Sequence, residues 1–138
     1  RSPLITAWVP DSYVQGAVAE IFAPQEPPEG YLRHVGPGLT LRRDTLRENA
    51  LQRAGLLAEI EALHTRYDAI GVPVEIVHGT ADTTVGLSIH ARPLARQVPD
   101  AALTALDGIG HMPHHAAPDA VISAIHRAAA RAGLRPRG

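Results

Sequence analysis

Only two stretches of this 138-residue chain have strand character, and both lie in its second half. Val74-Glu75-Ile76-Val77-His78 is rich in β-branched residues, nearly continuous in its apolar character, and closed by Gly79. Ala102-Leu103-Thr104-Ala105-Leu106 is a shorter second run. Between them Leu87, Ala91, Leu94, Ala95 and Val98 form a helical stripe that Pro93 is expected to kink or shorten. After them Val121, Ile122, Ile125, Ala129 and Ala132 form the buried stripe of a final helix, which starts near Pro118 and ends at Gly133. Strands alternating with helices mean βαβ units and a parallel sheet. A sheet of two parallel strands leaves an unpaired edge on each, and parallel strands need covered faces and neighbours. The missing strands are therefore expected from upstream sequence, another chain or a partner. The competing reading is that Leu4 to Val9 adds a third strand to a small, irregular domain.

Residues 1–70 read differently. Val14, Ala17, Val18, Ile21 and Phe22 predict a helix over Ser12–Ala23, with Asp11 or Ser12 able to begin it and Pro24 stopping it. Pro24 to Gly38 is a Pro/Gly-rich connection with one helical turn around Tyr31 to Val35. A long helix then runs from after Asp44 to about His64 or Tyr67, with apolar surface broad enough to pack on more than one neighbour. The division near Gly71 thus separates a helical segment, 1–70, from an alternating α/β segment, 71–138.

Composition removes several chemistries. Cysteine is absent, which excludes disulfides, thiol nucleophiles and thiolate metal sites. All 13 basic residues are Arg, so there is no lysine for a Schiff base or a P-loop. A net charge of −1 without a charge run implies neither nucleic acid nor an anionic membrane as partner. The longest apolar runs are too short to span a bilayer, and no signal-peptide pattern opens the chain. A cytoplasmic protein is the expectation. The chain opens at Arg1 without Met, so an upstream segment is expected.

The chemistry sits in two loops. His78-Gly79-Thr80-Ala81-Asp82-Thr83-Thr84-Val85 places an acid in the turn beyond the first strand. Gly108-Ile109-Gly110-His111-Met112-Pro113 places a histidine beyond the second. Ligands in open α/β sheets bind outside the carboxyl ends of the strands, so adjacent parallel strands would bring Asp82 and His111 to one rim. Histidine titrates near neutrality and can take a proton from a nucleophile and return it to a leaving group. A carboxylate on its other ring nitrogen fixes the tautomer and stabilises the imidazolium.

HGTADTTV followed by GIGHMPHH, with strand and helix between, resembles the C-terminal end of α/β-hydrolase-fold enzymes of the esterase/lipase type. The resemblance spans about residues 72–132, while residues 1–70 resemble only loosely the helical cap such enzymes insert over the site. It implies a partial α/β-hydrolase fold: a helical cap, then strand-helix-strand-helix of a parallel sheet. It also implies Asp82 as acid and His111 as general base, in the family's order of nucleophile, acid, histidine. The departure is the nucleophile. No G-x-S-x-G elbow exists, and none of Ser2, Ser12, Ser88 and Ser123 is flanked as an elbow requires. The oxyanion-hole segment is missing too. The expected function is hydrolysis of small esters or related acyl substrates without a cofactor, with the nucleophile half upstream of Arg1 and this polypeptide inactive alone. Dehalogenation, epoxide opening and C–C hydrolysis use the same acid and histidine with other nucleophiles. A non-catalytic module that completes its sheet with a partner is the competing class.

Plainer readings stand beside these. Asp82 alone would be read as capping the following turn, and His111 alone as a loop histidine bonded to backbone. His111, His114 and His115 are spaced like metal ligands, but Pro113 interrupts the run and no carboxylate set accompanies them, so no metal is expected. His78 reads as structural, with substrate contact open. Trp8 and Met112 are the candidate substrate contacts; Trp8, Tyr13, Phe22 and Tyr31 either line an acyl pocket or pack the cap. The charges from Arg47 to Glu61 read as a solvated helix face.

Overall fold

Hydrophobic periodicity places the helices close to where they are found. The computed structural model describes residues 10–36 and 43–134. The elements are α1 (Asp11–Phe22), α2 (Tyr31–Val35), α3 (Arg43–His64), a 3-10 turn (Tyr67–Ala69), β1 (Val74–Gly79), α4 (Ala91–Gln97), β2 (Ala101–Leu106), α5 (Pro113–Ala116) and α6 (Pro118–Arg131). The fold is a mixed α/β arrangement with a two-stranded parallel sheet. Leu4 to Val9, proposed above as a possible third strand, lies outside the described residues.

Contacts divide the chain into two units. One comprises Pro27–Thr65 with the described part of Arg1–Glu20. The other comprises Ile21–Glu26 with the described part of Arg66–Gly138. Residues 21–26, in the helical segment by sequence, therefore group by contact with the sheet.

The first unit is helical. On α3, Leu51, Leu56, Leu57, Ile60 and Leu63 are all exposed. Their spread around the helix is the broad apolar surface read from the sequence. Among the described residues that surface is uncovered.

In the second unit β1 and β2 pair in register from Val74↔Ala101 to Gly79↔Leu106, so the two strands end side by side. Their outer edges are unpaired among the described residues. Helix α4 packs on both strands and α6 packs on β1. Phe22, Ala91, Val98 and Ala124 are the buried apolar residues.

Three expectations are corrected here. The helix predicted over Leu87–Val98 starts only at Ala91, which puts Pro93 in its first turn, where a missing N–H breaks no helical bond. The loop predicted over Asp107–His115 contains α5, started by Pro113. Along the final helix the buried face is Ala124 with half-buried Val121, Ala128 and Ala129, while Ile122, Ile125 and Ala132 are exposed. Small residues at i, i+3 and i+7 let the helix approach the strand closely, and the large residues sit at its margin.

One polar cluster pins α6 to the sheet. The Glu75 side chain, 4% exposed, accepts from Arg127 at 2.9 Å and Arg131 at 2.8 Å. Arg127 also donates to Thr104 Oγ1 on β2, and Arg131 to Asp100. Burial pushes the Glu75 carboxyl up, but hydrogen bonds and charge from the two guanidiniums outweigh this and hold it below its ordinary value.

Candidate active site

The parallel register decides the geometry of the site. Because β1 and β2 finish level, the turns that follow them are neighbours, and backbone bonds lace them together. Thr80 N–H donates to Leu106 O at 2.9 Å, and Ala81 N–H to Ile109 O at 2.9 Å. Thr80 Oγ1 donates to Asp107 Oδ1 at 3.1 Å and accepts from Gly108 N–H at 2.9 Å.

Gly79 is required by this approach. A Cβ built on it would lie 2.0 Å from Ile109 O and 2.4 Å from Gly110 O, far inside contact distance and against backbone. Any side chain here would push the histidine loop off the strand end.

Asp82 and His111, 29 residues apart, meet at this rim: His111 Nδ1 lies 2.9 Å from Asp82 Oδ2. An ionised carboxylate only accepts, so Nδ1 carries the proton and Nε2 is left as the basic nitrogen. Asp82 is 4% exposed at its side chain and His111 33%. The other carboxylate oxygen, Oδ1, accepts from the N–H groups of Thr84 and Val85, each at 2.8 Å. The turn-capping reading of Asp82 and the histidine-pairing reading thus hold together, one on each oxygen. Burial pushes this carboxyl up. The Val85 N–H, the His111 ring and the Thr84 N–H outweigh burial and hold it below the usual carboxylate range.

His78 lines the same turn. Its Nε2–H donates to Val85 O at 2.9 Å and lies 3.5 Å from Asp82 Oδ2, with the side chain 13% exposed. Its main task is to close the turn that carries Asp82. Val77, His78, Gly79, Asp82, Val85, His111 and Pro113 line a cleft of about 220 Å³.

Met112 is half-buried, and its carbonyl accepts from His115 and Ala116 N–H at the start of α5; Pro113 lines the cleft beside His111. Trp8 lies outside the described residues. Tyr13 is exposed and Tyr31 half-buried, whereas Phe22 is buried with its ring 5.4 Å from that of His115. The His114 and His115 rings lie 4.5 Å apart, tilted by 47°, and among the described residues no group of three His, Asp or Glu side chains is placed to hold a metal ion.

One participant was not found by sequence reading. Gln25 bonds the backbone on both sides of Ile109, across 83 and 85 residues. A polar residue between prolines is the only local signal, and it does not say what the side chain reaches.

Chemically, an imidazole held through Nδ1 by a buried, ionised carboxylate, with Nε2 basic and the ring partly exposed, is equipped to remove a proton from a hydroxyl or water and deliver it to a leaving group. No protein-family model and no curated protein matches the chain.

Proposed function

We propose that this chain supplies the acid, Asp82, and the general base, His111, of a hydrolase that acts on small esters or related acyl substrates. The nucleophile and oxyanion donors come from sequence outside the chain. The observation that carries this reading is the 2.9 Å contact between His111 Nδ1 and Asp82 Oδ2 beyond the carboxyl ends of adjacent parallel strands. The order acid then histidine and the strand-helix-strand spacing support a partial α/β-hydrolase fold. The outer edge of β1, unpaired among the described residues, is open to a further strand, where a nucleophile-bearing segment would pair. The mechanism needs no cofactor.

In this mechanism a nucleophile's proton passes to His111 Nε2 as the nucleophile attacks the substrate carbonyl. Asp82 stabilises the imidazolium that forms, and the proton goes to the leaving group; His111 Nε2 then takes a proton from water as its oxygen attacks the acyl group, and returns it to the released nucleophile. Hydrolysis of p-nitrophenyl acetate and butyrate by the intact protein, compared with its His111→Ala variant, tests the proposal. Turnover that falls by orders of magnitude supports it. Turnover within about tenfold of the parent removes His111 from the mechanism.

The strand edges, unpaired among the described residues, favour a second reading, a binding module that completes its sheet with a partner. If the isolated chain is a well-behaved monomer and no nucleophile-bearing segment co-purifies with it, that reading replaces the first.

A further inference from the structure

We propose that Gln25 is a positioning residue that holds the His111 loop in its working geometry. The proposal rests on the role given above to His111. The Gln25 amide is used at both ends: Nε2–H donates to Gly108 O at 2.8 Å, and Oε1 accepts from Gly110 N–H at 2.8 Å. It therefore brackets the two peptide units that flank Ile109, two residues before His111, as a neighbouring strand would.

The adjoining residues act in the same direction. A Cβ on Gly110 would lie 2.0 Å from Ala23 O and 3.2 Å from Pro24 Cδ, so residues 23–25 lie directly on the loop. On the far side of His111, Phe22 is 2% exposed and its ring meets His115. Residues 22–25 thus grip the chain both before and after the histidine, while Asp82 holds its ring.

The physical need is clear. Glycines at positions 108 and 110 give the loop backbone freedom that a side chain would restrict. The contact between Asp82 and His111 fixes one ring nitrogen but leaves the loop able to tilt about it. A displacement of Nε2 by about 1 Å costs about a hundredfold in rate. The two amide bonds suppress that tilt, and they do so without touching substrate.

The test uses the intact protein with its histidines labelled by nitrogen-15. Gln25→Met keeps side-chain length and removes both hydrogen bonds; Gln25→Glu keeps the acceptor for Gly110 and loses the donor for Gly108. The expected result for Gln25→Met is a fall in kcat of about ten- to a hundredfold, KM within about threefold, and a broadened, faster-exchanging His111 Nδ1–H signal. Gln25→Glu is expected to lie between it and the parent. An unchanged His111 signal and kcat in Gln25→Met overturns the proposal. So does failure of both variants to fold, which would make the residue structural only. Asp82→Asn is the control for the underlying reading. If that change leaves the His111 ring signal untouched, the pairing of acid and base itself is wrong, whatever Gln25 does.

Discussion

Asp82 Oδ2 receives the Nδ1–H of His111 at 2.9 Å, while Oδ1 of the same carboxylate receives two backbone N–H groups of its own turn. The acid is therefore oriented by its turn before it orients the histidine. Four expectations follow from this arrangement and the contacts that support it.

Removing the acid's charge while keeping its shape is expected to be nearly as damaging as removing the base. On the proposed hydrolase reading, Asp82→Asn should lower kcat by about 10⁴-fold, because the amide no longer enforces the tautomer with Nε2 free. The double change with His111→Ala should cost scarcely more than either alone, since the two act as a unit. Steady-state kinetics of the three variants checks this.

Acid stability should report on Asp82. Its native carboxyl titrates below its ordinary value, so the unfolded state binds protons first as pH falls. The stabilisation is present above the unfolded pKa, near 3.8, and is lost as pH falls through the depressed native value. Glu75 behaves the same way from an ordinary value near 4.5. Urea midpoints between about pH 6 and pH 2 should fall less steeply in Asp82→Asn and Glu75→Gln than in the parent. Parallel curves would contradict the assignment.

Glu75→Gln should loosen α6. It removes the charge that two arginines share, but Arg127 is 46% exposed and recovers part of its solvation. The expected loss is about 1–2 kcal/mol, toward the lower end for hydrogen bonds to charged groups. Urea denaturation measures it directly.

Gly79→Ala should be far more disruptive than its size suggests. The added methyl would meet the carbonyls of Ile109 and Gly110 at 2.0 and 2.4 Å. The loop must move or the strand end must open, at about 1–3 kcal/mol. Thermal melting together with the His111 ring signal distinguishes this from a neutral change, which would show neither effect.

Much of this was legible without coordinates. The helices over Asp11–Phe22 and Arg43–His64, and the two strands, follow from local periodicity, which acts over a turn or a pleat and so is written in neighbouring residues. Asp82 and His111 stand one turn beyond each strand in the sequence, and parallel pairing brings such turns together. What local pattern could not decide was which apolar residues find cover. Ile122 and Ile125 looked like core and are exposed, because in α6 the smaller Ala124 faces the strand. Nor could it find the Gln25 amide, whose bonds run to Gly108 and Gly110, or the Glu75 carboxylate held by Arg127 and Arg131. Hydrogen bonds across 52 to 85 residues leave no spacing in the sequence. They exist only once the strands are aligned and the chain has returned to the same place.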